Sequence, residues 1–191
     1  MKQGARPWSE KPQFADGELC DPDRRSPGAK VTVFASVGSM LPFDRLAQAV
    51  DEWARDHDQV SVFIQIGDGT YEPRHAEWAR LLPHETYMER LSACDLFVAH
   101  VGIGSIFQAL ESGRQMLMLP RLASRGEHTT EHQLHTAARF ADTPGLSIAG
   151  DSEELKRRMS DLLDNPIHYK VSFSTVAPIG LIEKIRDFLN G

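Results

Sequence analysis

From residue 31 onward, short and nearly continuous apolar segments alternate with amphipathic segments along the chain. An antiparallel sheet with one wet face would instead show strict alternation of apolar and polar residues within each strand. Apolar runs without that alternation are typical of strands that helices cover on both faces. The sequence therefore predicts an α/β fold with a doubly wound parallel sheet.

The spacing of apolar residues and the positions of glycine and proline place the individual elements. We expect strands at residues 31–35, 60–66, 96–99, 116–119 and 146–149, and helices at residues 43–54, 86–93, 105–112, 132–141, 151–163 and 178–189. Gly113 is the expected stop of one helix, and Asp151 with Glu154 the expected capping pair of another. The adjacent carboxylates of Asp51 and Glu52 are expected to face solvent.

Composition sets the broad class of protein. The chain has 191 residues, 41% of them hydrophobic, with 21 Lys and Arg against 27 Asp and Glu, for a net charge of −6. This balance fits one folded domain and argues against a general nucleic-acid binder, which needs a positive field to replace phosphate counterions. Without an apolar stretch of membrane-spanning length or a secretory leader, a cytoplasmic location is expected.

Residues 1–30 differ from the remainder. They contain four prolines and many charges but no hydrophobic period, so we expect a flexible N-terminal arm followed by a domain at 31–191. Two readings stay open for the arm: a leader without function, or a segment that lies on a partner.

The glycine-containing segment His-Val-Gly-Ile-Gly-Ser at residues 100–105 lies between an expected strand and an expected helix. Glycines let the backbone approach a ligand, and the first amides of a helix carry partial positive charge, so the segment suits a diphosphate. Ser105 could cap the helix. Phe107 occupies the third glycine position of the dinucleotide fingerprint, and no Lys follows as in a P-loop. A plain strand-to-helix turn is the alternative.

Two further segments follow expected strands at the same edge of the sheet. The first, Ser-Val-Gly-Ser at residues 36–39, predicts a second backbone cradle and, together with residues 100–105, a cleft for one extended ligand. The second, the polar stretch 120–133, offers side chains for sugar hydroxyls and arginines for phosphate or carboxylate. A plain turn and a solvated loop are the respective alternatives.

Within that stretch, His128, Glu131 and His132 match the H-x-x-E-H pattern of inverted zinc proteases. On a helix, His128 and His132 would share a face, with His135 one turn further on. The match is short and the segment is expected to straddle a loop and a helix start. A zinc hydrolase is therefore a remote alternative, and we expect no metal site.

In this order and spacing, the three segments resemble the C-terminal, donor-binding domain of family 28 glycosyltransferases, which have the GT-B fold. The resemblance covers residues 31–189 and rests on residues 33–46, 95–106 and 120–133. It implies a Rossmann-like sheet, the C-terminal half of a GT-B enzyme. Single-domain subunits of split enzymes are the most similar, above all the subunit of bacterial exopolysaccharide glucuronosyltransferases, and also the catalytic subunit of the two-subunit N-acetylglucosaminyltransferase of the dolichol pathway.

The resemblance implies a UDP-sugar site with the diphosphate at residues 102–105. Gln108 stands where relatives use a Glu to bind the ribose hydroxyls, and an amide lacks the charge-assisted strength of a carboxylate. Gln133 matches a glutamine that reaches the donor sugar. The implied donor-binding residues are Ser36, Gly38, Ser39, Gly102, Gly104, Ser105, Gln108, Arg121, Glu127, Glu131, His132 and Gln133.

The implied function is the donor-binding and catalytic subunit of a split inverting glycosyltransferase that needs no cofactor. It would move a sugar from a UDP-sugar to a lipid-linked saccharide in exopolysaccharide biosynthesis. UDP-glucuronate is suggested as the donor, with Arg121 or Arg125 pairing its carboxylate. His100 is the candidate base in this chain, although the base is expected on the partner and a structural hydrogen bond suits His100 equally.

A single domain lacks the acceptor half of a GT-B enzyme. The expected partner is a membrane-associated, N-domain-like subunit, which would recruit the chain to the inner face of the membrane. A nucleotide-sugar-binding module without catalysis is the main alternative, and Gln108 is the residue that favours it.

Overall fold

The computed structural model describes residues 30–169, which form one parallel sheet flanked by helices. The strands in this part of the chain are β1 (Val31–Ser36), β2 (Val60–Gln65), β3 (Glu77–Ala79), β4 (Leu96–His100), β5 (Met116–Leu119) and β6 (Leu146–Ile148). The helices are α1 (Asp44–Arg55), α2 (His84–Ala93), α3 (Ile103–Glu111), α4 (His132–Phe140) and α5 (Ser152–Asp164), with a 3-10 turn at Ala123–Arg125.

The strand order is β3-β2-β1-β4-β5-β6, and every neighbouring pair is parallel. The chain moves outward from β1 through β2 to β3, then returns to the other side of β1 and continues outward through β6. The direction of winding therefore reverses between β1 and β4, where Phe34 pairs with Phe97. This confirms the expected doubly wound α/β fold and identifies its switch point.

Each face of the sheet has its own hydrophobic cluster. Val33 and Ala35 of β1 belong to the cluster that packs against α1 and α5, whereas Phe34 belongs to the cluster that packs against α2, α3 and α4. Because successive side chains of a strand point to opposite faces, both sets must be apolar. This explains why the strands read as continuous apolar runs. Trp53 of α1 donates from Nε1 to Ser160 Oγ of α5, 3.0 Å away.

Most element boundaries agree with the sequence, and the differences have local causes. Asp151 Oδ1 accepts from the Glu154 amide at 2.8 Å, which confirms the cap, while Glu154 Oε2 reaches back to the amide of Gly150. β3 is an edge strand too short to show a hydrophobic period, and the sequence analysis missed it. The expected helix 178–189 and residues 1–29 of the expected arm lie outside the described residues.

The helix after β4 begins at Ile103, earlier than the expected residue 105, and Gly113 follows its C-terminus with φ 63°. Gly102 is the residue before the first turn, and no side chain caps it. The expectation that Ser105 caps this helix is therefore wrong, because Ser105 already lies inside the first turn. Across residues 30–169, no helix combines the length and apolar character needed to cross a bilayer.

The expectation that Asp51 faces solvent is also wrong, because its side chain is fully buried. Its carboxylate accepts hydrogen bonds from the amides of Arg74, His75 and Ala76 at 2.9, 2.7 and 3.0 Å and from the Tyr71 hydroxyl at 2.8 Å. Burial raises the pKa of the Asp51 carboxyl, but these donors outweigh it and the net pKa is lowered. One carboxylate thus organises the loop between β2 and β3.

We expect Asp51→Ala to destabilise the protein by at least about 2 kcal/mol, because the substitution leaves several inward-facing amides without an acceptor. The adjacent Glu52→Ala is the matched control. Its carboxylate pairs with Lys156 at a half-exposed site, so its loss should cost less than about 1 kcal/mol. Urea denaturation of the two variants measures both values, and equal losses would contradict the role given to Asp51.

Candidate functional site

A cleft of about 540 Å³ opens at the carboxyl ends of the central strands, at the reversal between β1 and β4. That volume lies within the range of small-molecule sites. The sequence-predicted residues that line it are Ser36, Gly38, Ser39, His100, Gly102, Gly104, Ser105, Gln108, Arg121 and Gln133. The segments after β1 and β4 therefore face one cavity together with the segment after β5.

The N-terminus of α3 opens into this cleft. The helix has no side-chain cap and no acidic residue in its first turn, and its first backbone hydrogen bond runs from the Ile106 amide to the Gly102 carbonyl at 3.0 Å. The amides of residues 103–105 therefore have no acceptor within the helix. A Cβ placed on Gly104 would meet no atom within 4 Å. This end of the helix is an open, partly positive site for an anion.

His100 lies between the two glycine segments at the floor of the cleft. A Cβ on Gly38 would stand 2.6 Å from His100 Cε1, and a Cβ on Gly102 would overlap His100 Nε2. Gly38 also has φ 89°, which disfavours any side chain. These two glycines are required by the packing of the imidazole. Gly104 has no such role in the protein's own packing.

The electrostatics of His100 follow from its position. Burial lowers its pKa to about 4, the charge of Arg121 acts in the same direction, and the backbone of Ser36 opposes only part of the shift. Nδ1 is buried and has no hydrogen-bond partner within residues 30–169. At neutral pH the ring is uncharged, and a base this weak accepts a proton poorly.

Gln133 is held in one orientation. Its Oε1 accepts from the Val101 amide at 3.2 Å and from the Arg121 amide at 3.0 Å. Two backbone donors identify that atom as the carbonyl oxygen, so the NH₂ group is the other end of the carboxamide. Gln133 lines the cleft, and among the described residues no hydrogen bond uses its NH₂ group. It is a pre-oriented donor for a ligand.

Arg121 lines the cleft, but its guanidinium is committed to the protein. It donates to the carbonyl oxygens of Val37 and Leu41, each at 2.7 Å, and to that of Pro42. The side chain is 2% exposed. Burial lowers its pKa to about 10, so the group stays charged at neutral pH. The guanidinium contacts the loop after β1, and the expected contact of Arg121 with a ligand phosphate or carboxylate stays a prediction.

Three predicted donor-binding residues do not line the cleft. Glu127 forms a two-point ion pair with Arg45 at 2.7 and 2.8 Å, and Glu131 Oε1 accepts from the Ser124 amide at 3.4 Å. His132 is exposed at the start of α4. The chemistry expected of these three residues stays a prediction without a contact that supports it.

The zinc-protease alternative lacks its helical geometry. His128 lies in the loop before α4, which begins at His132, so the two imidazoles do not share a helix face. No cluster of three or more potential metal ligands occurs in the described part of the chain.

The sequence patterns did not predict several cleft residues, because these residues lie at the end of β2 or after β3, and both strands lie on the side of β1 opposite to β4. Gln65, at the end of β2, donates to Ser36 Oγ at 3.3 Å and accepts from the Leu82 amide at 3.0 Å. Burial raises the pKa of the Tyr87 hydroxyl, and hydrogen bonds with the side chains of Ser36 and Ser105 oppose part of this increase. Only the strand order places these residues beside β4, so no local signal could have identified them.

Comparison with known proteins agrees with this geometry. A profile of the glycosyltransferase family 28 C-terminal domain matches residues 32–172. The chain belongs to this family. No curated protein gives a significant match.

Solved structures resemble the family 28 domain in fold. A glycotransferase of kitacinnamycin has 18% identity and a TM-score of 0.54 over 82% of this chain and 39% of its own. Os79 from O. sativa, solved in complex with UDP, has 16% identity and a TM-score of 0.54 over 75% of this chain and 34% of its own. UGT89C1 from Arabidopsis thaliana, complexed with quercetin, has 16% identity and a TM-score of 0.51 over 72% and 35%. The chain thus spans less than half the length of each.

We expect the buried neutral His100 to make stability fall as the pH is lowered. The native pKa of about 4 lies below the unfolded value, so protons favour the unfolded state between about pH 6.5 and 4. The loss from this group should be on the order of 3 kcal/mol, and His100→Gln should remove that part of the pH dependence. Urea denaturation from pH 7.5 to 4 measures it.

The exposed His135→Gln is the control and should follow the wild type at each pH. Parallel stability curves for the wild type and His100→Gln would contradict the assignment of a buried, neutral imidazole.

Proposed function

We propose that this family 28 domain binds a UDP-sugar in the cleft and forms the donor half of an inverting glycosyltransferase. The observation that carries the proposal is the uncapped N-terminus of α3, which opens at the switch point directly beside the loop after β1. A diphosphate is the part of a nucleotide sugar that such a site attracts. The fold shared with Os79, whose structure contains UDP, supports the choice of nucleotide.

The remaining groups of the cleft suit the two ends of such a ligand. Gln108, on α3, lines the cleft, and no hydrogen bond within the described residues uses its side chain, so its carboxamide is available to the ribose hydroxyls. Gln133 presents its NH₂ group to the hydroxyls of the sugar. This arrangement places the departing diphosphate at α3, where amides aimed at growing negative charge stabilise the transition state.

Activation of the acceptor is assigned to another protein. His100 is neutral with a pKa of about 4, which makes it a poor base for a sugar hydroxyl at neutral pH. The matched structures are more than twice as long as the region they share with this chain. We propose that a membrane-associated, N-domain-like partner supplies the second wall, the base and a lipid-linked saccharide, in exopolysaccharide biosynthesis at the inner face of the membrane.

The donor proposed is UDP-glucuronate. Because the guanidinium of Arg121 is used by backbone carbonyls, the residue left to pair the sugar carboxylate is Arg125. It lies exposed at the end of the 3-10 turn after β5. An exposed arginine can reorient toward a bound carboxylate, with which it forms a charge-assisted pair.

We expect Gly104→Leu to weaken UDP binding at least about tenfold, which corresponds to about 1.4 kcal/mol. A Cβ at this position would meet no atom within 4 Å, so we expect the added side chain to displace a ligand at the α3 terminus and not to unfold the domain. Isothermal titration calorimetry with UDP measures the loss, and the thermal midpoint without UDP checks that the variant is folded.

The matched control is Glu111→Leu at the exposed C-terminal end of the same helix, which should bind UDP as the wild type does. Unchanged affinity in Gly104→Leu, or no UDP binding by the wild type, would contradict the proposed donor site.

A nucleotide-sugar-binding module without catalysis is the second candidate. Gln108 favours it, because a neutral amide holds the ribose less strongly than the carboxylate implied by the family resemblance. Gln108→Glu should therefore raise the UDP affinity several-fold, with calorimetry as the measurement.

A sugar-transfer assay distinguishes the glycosyltransferase from the module without catalysis. We expect wild-type protein, added to membranes of the producing organism with radiolabelled UDP-glucuronate, to move label into the lipid extract, with less label from UDP-glucose. Gly104→Leu is the control and should move none. If wild type binds UDP but transfers no label, while Gln108→Glu transfers it, the non-catalytic module is the correct reading.

A further inference from the structure

The loop between β1 and α1, residues 37–43, forms one wall of the cleft but has little bonding of its own. Among the described residues, no backbone-to-backbone hydrogen bond joins two groups within 38–42. The Gly38 amide uses the side chain of Ser36 as its acceptor, at 3.2 Å. Three carbonyl groups of the loop are held by a single side chain from the other side of the cleft, that of Arg121.

Arg121 fits this task by its shape. Its planar group has five N–H donors in a fixed fork, and they reach three carbonyl oxygens of the loop, those of Val37, Leu41 and Pro42. The guanidinium carbon also lies 4.7 Å from the centroid of the buried Phe43 ring, the last residue of the loop. Lysine has a compact point charge and could not meet all of these groups at once.

The same residue holds the opposite wall. The Arg121 amide donates to Gln133 Oε1 at 3.0 Å, which orients the NH₂ donor of that glutamine. Arg45 of α1 adds a second tie, because it pairs with Glu127 and donates to the Pro120 carbonyl at 2.7 Å. The loop after β1 and the segment after β5 are thus joined through Arg121 and its neighbours.

The direction of these bonds matters for an anion. Carbonyl oxygens carry partial negative charge and would repel a diphosphate if they faced the cleft. Arg121 draws three of them toward its own charge. Arg45 pairs with the Glu127 carboxylate, whereas Arg121 donates to the Glu127 backbone carbonyl at 3.4 Å. Two guanidinium groups and one carboxylate leave this network with a net positive charge beneath the loop.

We propose that Arg121 is a positioning residue for the donor site. It holds the loop after β1 with its carbonyl oxygens turned away from the diphosphate, while its amide orients Gln133 toward the sugar. It acts through the loop and through Gln133 and does not contact the ligand. The inference rests on the proposed UDP-sugar function, and it gives Arg121 a role that neither the family match nor the fold comparison assigns.

The test is Arg121→Lys, which keeps the charge and loses the fork. UDP affinity should fall at least tenfold by calorimetry, whereas the affinity for uridine, which has no phosphate, should change less than twofold. Amide hydrogen exchange at Val37 and Gly38, whose amides donate to the Gln65 carbonyl at 3.0 Å and to Ser36 Oγ at 3.2 Å, should become at least tenfold faster, while exchange in β4 stays at the wild-type rate.

Arg80→Lys is the matched control. Arg80 also donates to carbonyls of a loop after a strand, those of Gly67 and Gly69 at 3.5 and 3.0 Å, but it does not line the cleft. It should leave UDP affinity and amide exchange at Val37 and Gly38 unchanged.

Wild-type exchange at Val37 and Gly38 in Arg121→Lys, or equal losses of UDP and uridine affinity, would overturn the inference. If the wild type binds no UDP, the proposed function fails, and the exchange comparison still decides whether Arg121 holds the loop. If Arg121→Lys does not fold, Phe43→Leu removes the aromatic face beneath the guanidinium and leaves Arg121 in place. Phe43→Leu should then give a smaller acceleration at Val37 and Gly38, and wild-type exchange there would overturn the inference.

Discussion

The reversal of winding between β1 and β4 is the constraint on which the site depends. α1 leaves β1 on one face of the sheet and α3 leaves β4 on the other. Because the two crossovers diverge, no helix covers the carboxyl ends of these neighbouring strands, and a cleft remains there. The uncapped terminus of α3, the loop after β1 and the imidazole of His100 meet in that gap. In this family 28 domain, the cleft therefore follows from the order of the strands and not from any single side chain.

The polar interior is organised by side chains that serve backbone groups. Asp51 accepts from amides of the loop between β2 and β3, and Gln133 accepts from the amides that follow β4 and β5. Arg121 donates to carbonyl oxygens of the loop after β1. Loops without regular structure would otherwise leave buried backbone groups unsatisfied. Near the cleft, these hydrogen bonds also affect the electrostatics. Carbonyl oxygens that accept from Arg121 do not face the proposed site of the diphosphate.

Much of the fold could be predicted from local patterns. Val33, Phe34 and Ala35 are all apolar because β1 is buried on both faces, and this made the strands and the parallel sheet readable. β3 could not be predicted, since three residues at an edge show no period. Asp51 was misjudged because its burial depends on Tyr71 and the loop amides at 74–76, which approach it only in the folded protein. The glycine segments were predicted, but the structural reasons for a glycine differ among the positions. A Cβ on Gly38 or Gly102 would collide with His100, whereas a Cβ on Gly104 would enter open space.

By itself, the sequence determined the succession of helices and strands except β3, the family, and the segments that would follow β1, β4 and β5, because these depend on neighbouring residues and on motif spacing. Only the tertiary structure decided which polar side chains remain free. Arg121 and Glu127 look like ligand-binding residues in the chain, yet one is used by carbonyl groups and the other by Arg45. Gln133 keeps a free donor because two strands bring their amides to its carbonyl oxygen. Each polar group can form only a limited number of hydrogen bonds, and long-range packing determines which groups are its partners.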